Sequence, residues 1–96
     1  IGMGYRAVYN NEGTGVVGIG REALSNNSGS YNTALGYLAG YESGTALNNS
    51  KNTFLGYKAS YGTSGSIINS TAVGAEVTLT DSNTVILGNN TSFKFS

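Results

Sequence analysis

The sequence predicts an all-β fold, a parallel β-solenoid of about six coils that packs against further copies of itself. Three observations predict it. One phrase recurs along the 96 residues: "IGMGYRAVY" at the start, "NTALGYLAGY" at 32–41 and "NTFLGYKASY" at 52–61. Each apolar piece is only four to six residues long and is flanked by Asn, Gly and Ser, which reads as strand and turn; a helix needs about ten or more periodic residues. Finally, neither face of these pieces carries a charge, the pattern of strands covered on both sides.

The units follow in order from the Gly after each apolar residue: Gly4, Gly20, Gly36, Gly56, Gly74 and Gly88, spaced 16, 16, 20, 18 and 14 apart. Met3, Ile19, Leu35, Leu55, Val73 and Leu87 precede them, and Ala7, Ala23, Ala39, Ala59, Val77 and Thr91 stand three residues after. A fixed internal period outranks other signals. In the first two units Asn10, Asn11, Gly13 and Thr14 map onto Asn26, Asn27, Gly29 and Ser30. "GREALSNN" near residue 20 is the best helical candidate, but it shares the register of "GYRAVYNN" and is assigned as coil. The third and fourth units carry extra loop at 40–50 and 60–69. The last, "TVILGNNTSFKFS", loses the Gly-Tyr pattern and alternates Phe93 and Phe95 about Lys94. Residues 1–83 thus form the repeat segment, and 84–96 the last coil and a transition to a following element. The chain opens inside a repeat and is read as a piece of a longer polypeptide.

Short strands at regular spacing, one coil per repeat, describe a solenoid with rungs about 4.8 Å apart. Asn at equivalent turn positions can bond to the rungs above and below. Along each strand, positions one and three before the Gly share a face, and position two takes the other: Gly2, Gly18, Ala34, Phe54, Ala72 and Ile86. One face fills a thin interior. The other must meet a copy of the chain, because a thin roll of this size buries little surface alone. The residues assigned to trimer or core packing are Leu35, Ala34, Leu55, Phe54, Val73, Ala72, Ile19 and Leu87. The small column suggests close approach of chains, though which face points where stays open.

"NTALGYLAG", "NTFLGYKAS", "STAVGAEV" and "SNTVILGNN" resemble the head repeats of trimeric autotransporter adhesins and, equally, the β-repeats of phage and phage-like tail fibres. The resemblance covers roughly residues 1–90. It implies left-handed parallel β-rolls, three chains about one axis, on a particle or bacterial surface outside the cell. The longer third and fourth units depart from regular adhesin heads and lean toward a fibre.

The inventory argues against catalysis. There is no His and no Cys, so the commonest base and the thiol nucleophile are missing. Glu22 and Glu76 share a repeat position but stand three coils apart, about 14 Å, too far for a glycosidase pair of about 5 to 10 Å. "GTGVVG" at 13–18 matches the dinucleotide fingerprint by letter but lacks its strand-turn-helix context. One Asp excludes a calcium nonapeptide array, and no cofactor or metal is expected. Five basic and five acidic residues favour neither nucleic acid nor membrane as partner, and the longest apolar runs are far short of a span.

The tyrosines are the candidate ligand-binding residues. They stand in i, i+4 pairs, Tyr5 with Tyr9, Tyr37 with Tyr41 and Tyr57 with Tyr61, and each member would form a column across coils. Such columns either pack at corners and between chains or grip a cell-surface glycan or protein receptor. Arg6, Lys51 and Lys58 read as solvated edge charges. The expected function is a non-enzymatic attachment segment of a trimeric fibre or adhesin, presenting loops and Tyr columns to a host. A pure stalk with binding elsewhere is the alternative. Ice binding through the Thr33, Thr53, Thr71 column is a distant one, disfavoured on the expectation that this face looks inward.

Overall fold

The computed structural model describes residues 1–42, 49–62 and 66–89. Among them there is no helix, and the strands are short: β1 (Gly2–Met3), β2 (Val17–Ile19), β3 (Thr33–Leu35), β4 (Thr53–Leu55), β5 (Ser60–Tyr61), β6 (Thr71–Val73), β7 (Thr78–Leu79) and β8 (Val85–Leu87). Six of them form one parallel sheet in the order β1-β2-β3-β4-β6-β8. The register is that of the repeat. Gly2 pairs with Gly18, Val17 with Thr33, Thr33 with Thr53, Thr53 with Thr71 and Thr71 with Val85. These offsets equal the spacings between anchor glycines, so each repeat is one turn of a β-solenoid of about five turns. β8 continues the sheet; Phe93, Lys94 and Phe95 lie outside the described residues.

Strand alternation decides the two faces. Gly18, Ala34, Phe54 and Ala72 are buried inside the roll, with Ile86 packed against the same cluster. The smallness of this column therefore serves the thin interior, where Ala23, Leu24, Ala39, Ala59, Ile67, Val77 and Leu79 meet it. It does not bring chains together. The other face, with Leu35 and Leu55, is turned outward. Thr33 and Thr53 are exposed and Thr71 half-buried on that same side, so the Thr column looks out, contrary to expectation. A parallel strand one residue longer or shorter would exchange the two faces; the anchor Gly prevents that slip.

Gly36 shows why the anchor is Gly. Its φ is +137°, and a methyl group there would sit 2.6 Å from the Gly56 carbonyl oxygen on the next rung. Gly20 has the same relation to Gly36. The chain turns a corner here while the neighbouring rung passes at backbone contact, which no side chain permits.

Beyond the corner the backbone runs as consecutive tight turns. Ala7 N–H donates to Gly4 C=O and Tyr9 N–H to Arg6 C=O. Positive φ falls at the third residue of each, Arg6 (53°) and Val8 (58°), the pattern of type II turns. The intervening N–H groups cross to neighbouring rungs: Val8 donates to Ala23, Glu22 to Tyr5 and Leu24 to Ala39. "GREALSNN" repeats this geometry, with φ of 58° at Glu22 and 55° at Leu24, and is coil as expected. In the fourth and fifth coils the second turn gives way to β5 and β7, which pair in parallel, Ser60 with Thr78 and Tyr61 with Leu79.

The third side is held by amide ladders. Asn52 N–H donates to Asn32 Oδ1 at 2.9 Å, and Ser70 N–H to Asn52 Oδ1 at 2.8 Å. Asn52 Nδ2 meanwhile donates to Ile67 C=O at 2.7 Å. These groups are buried, and each pairing removes an orphan backbone group that would cost about 1–3 kcal/mol. At the surface Asn10 Nδ2 donates to Asn26 Oδ1 and Asn69 Nδ2 to Asn83 Oδ1, the rung-to-rung bonding expected of Asn in register.

Candidate binding surfaces

Two exposed surfaces follow from this winding. The first is the outer face of the six-stranded sheet. Ile1, Met3, Leu35, Leu55, Val85 and Leu87 are 43 to 74 % exposed there, with Ile19 and Val73 half-buried among them. The face is uncharged from the first strand to the last. Of the residues assigned to packing, Ala34, Phe54 and Ala72 thus belong to the interior, and Leu35, Leu55, Leu87, Ile19 and Val73 to this open stripe.

The second surface stands just past the corner. The residues following the anchors are Tyr5, Arg21, Tyr37 and Tyr57, and stacking in register brings them together. Tyr37 and Tyr57 lie with ring centroids 5.5 Å apart and planes 12° apart. The Arg21 guanidinium sits 5.4 Å from the Tyr5 ring centre and 5.9 Å from that of Tyr37. Arg6 is held between Tyr5 at 5.4 Å and Tyr9 at 5.0 Å. Lys58 lies 5.2 Å from the Tyr57 ring, whose hydroxyl holds the ammonium above its ordinary value of 10.5. Each arginine–ring contact contributes about 0.5–1 kcal/mol where exposed. Together they form one continuous ladder from Tyr9 to Lys58.

The i, i+4 partners divide. Tyr9 is exposed, but the residue above it is the buried Ser25, so no Tyr column forms at that position. Tyr41 is half-buried. Tyr61 turns inward: its ring packs edge-on against Phe54 at 4.6 Å, and its hydroxyl accepts from Asn27 Nδ2 at 2.9 Å. Burial pushes the Tyr61 phenol well above its ordinary value, and Glu42 adds to the rise; the amides of Asn27 and Asn52 oppose it. Tyr61 is thus packed against the interior, with both its ring and its hydroxyl engaged there.

The same geometry limits what the ladder can grip. A sugar ring stacks on an open aromatic face, and here the faces of Tyr5, Tyr37 and Tyr57 are already shared with cations or another ring. What remains open is edges: phenol hydroxyls and guanidinium N–H groups. The sequence reading, which weighs the within-coil pairs, takes Arg6 for a solvated edge charge and passes over Arg21; both instead lie against tyrosine rings. The signal was the column one residue past each anchor, Tyr-Arg-Tyr-Tyr, visible only once the units are aligned. Glu22 and Glu76 share a column as expected, three coils apart. Among the described residues no group of His, Cys, Asp or Glu could hold a metal ion, and no helix is long and apolar enough to cross a membrane. The chain was compared with protein-family models, with curated proteins and with solved structures, and no match was found in any of the three.

Proposed function

We propose that this chain is a non-enzymatic structural and attachment segment of a homotrimeric tail fibre or surface adhesin. It is wound left-handed and displayed outside the cell or on a phage-like particle. The open apolar stripe carries this reading. Contiguous exposed apolar surface marks an interaction site, and this one has a strict rung period of about 4.8 Å. A partner that matches it rung for rung must have the same period, and a second and third copy of the chain do. Three chains around one axis would cover all three stripes, make a stiff rod and present each loop in triplicate, so weak contacts add through avidity.

Light scattering tests the assembly. A folded trimer gives about three times the 9.9 kDa of one chain; a folded monomer at micromolar concentration would refute it. Attachment is tested separately, by deleting residues 43–48 or replacing Tyr37 and Tyr57 with Ala in the intact parent protein and counting bound particles or cells. A loss of attachment supports a recognition surface. Unchanged attachment leaves the segment as a stalk, a second reading favoured by one observation: the ring faces of the ladder are occupied by the protein's own cations. The outward Thr33 and Thr53 bear on the ice-binding reading, for which we expect no thermal hysteresis, since Leu35 and Leu55 alternate with them on the same face.

A further inference from the structure

Arg6 and Arg21 both lie against the Tyr5 ring, their guanidinium carbons therefore no more than twice 5.4 Å apart. Among the described residues neither guanidinium makes a hydrogen bond or an ion pair. Each arginine is exposed. The hydroxyls of Tyr5, Tyr9 and Tyr37 likewise make no hydrogen bond among the described residues. Two exposed guanidinium groups with unspent N–H donors therefore stand close together among phenols on one edge of the roll.

The geometry points to an oxyanion-binding site on Arg6 and Arg21 that takes a carboxylated or sulfated glycan. A guanidinium fork matches such a group with two parallel hydrogen bonds. The flanking rings have already restrained both side chains, which lowers the entropic cost of engagement. The phenols between the cations suit a ligand that alternates anionic groups with hydroxyls, as an acidic sugar chain does. A polynucleotide fits poorly: the chain has zero net charge and a pI near 6.3, without the basic stripe that phosphate tracking needs. Glu22 opposes the site. It occupies the column of Arg6 one rung on and follows Arg21 directly, so its carboxylate repels the ligand. The site is complete within one chain and does not depend on trimer formation.

The test titrates the full chain with a heparin-derived decasaccharide and a hyaluronan oligosaccharide, with dextran as the neutral control, at low and high salt. Both acidic sugars should bind and dextran should not, and the affinity should fall as salt screens the charges. Arg6→Gln and Arg21→Gln should each weaken binding about tenfold. Arg21→Lys should weaken it too, because charge remains while the fork is lost. Glu22→Gln should tighten it. Lys51→Gln makes the same change of net charge at a remote corner and should leave binding unchanged, with thermal melts confirming the fold of every variant. Binding no stronger than dextran overturns the proposal, as does equal weakening by Lys51→Gln. Displacement by inorganic sulfate at matched ionic strength would reassign the site to free anions and overturn glycan recognition. Light scattering on the same samples separates the two readings: a monomer that binds supports this site and refutes the trimer, and a trimer that does not bind refutes this site alone.

Discussion

Lys51 holds a φ of 60° on an exposed corner. A left-handed residue with a Cβ costs about 1–2 kcal/mol, yet the stacking of rungs imposes it: Tyr31, Asn69 and Asn83 occupy the same column at 62°, 60° and 55°. Asn tolerates this conformation best among residues with a side chain. Lys51→Asn should therefore raise stability by about 0.5–1 kcal/mol, read from urea unfolding. Gly36→Ala should do the reverse and cost about 2 kcal/mol or more, since the added methyl meets the Gly56 carbonyl. Tyr61 makes stability depend on pH. Its folded value is raised above the ordinary 10, so the neutral phenol favours the fold. Below pH 10 both states hold the proton and stability is unaffected. Above it the unfolded chain releases the proton first, and stability falls by at most about 1.4 kcal/mol per pH unit. Urea midpoints from pH 8 to 11 should slope downward more steeply for the natural chain than for Tyr61→Phe.

At the scale of elements, three-residue strands are too short to persist alone, and their ladders hold them. Asn52 is the clearest case. It accepts Ser70 N–H and donates to Ile67 C=O, bridging two stretches of the next coil. Asn52→Leu keeps the branched shape and heavy-atom count but would orphan both groups in a buried place, so we expect a loss of about 2–4 kcal/mol, measured by thermal and urea unfolding. The anchor column and the Asn positions were legible because they repeat at the register itself. The division of the far side into paired type II turns in the first three coils and β5 and β7 in later ones was not. Tyr9, Tyr41 and Tyr61 occupy one repeat position, yet they range from exposed to interior. The residue opposite decides that: Ser25 and Leu79 come from other rungs, and the bulk of Phe54 sets where the Tyr61 ring can lie.

For the whole molecule, one residue separates the two fates of a substitution. Ala34 and Leu35 are adjacent, but one faces the interior and the other the open stripe. Ala34→Glu should abolish folding, because the roll has neither room nor a partner for a buried carboxylate. Leu55→Glu should leave the secondary structure of a single chain intact and reduce the mass in light scattering to that of one chain. A Leu55→Glu variant that keeps the assembled mass would place the chain–chain contact elsewhere. The outcome of this pair reads the assembly without reference to any ligand.

The sequence by itself determined the period, the parallel register and the positions where only Gly fits, because each is a local demand repeated in every unit: a corner, a strand, an amide facing its own counterpart. It left open which strand face is inside. Both faces are uncharged, and alternation is blind to an exchange of the two. Tertiary structure decided that through volume, since the thin roll admits Gly18, Ala34 and Ala72 around a single Phe54 and turns the continuous Leu and Val column outward. It also made the Arg21 ladder, because a column of side chains exists only when coils from 16 to 20 residues apart in the chain are laid one on the next.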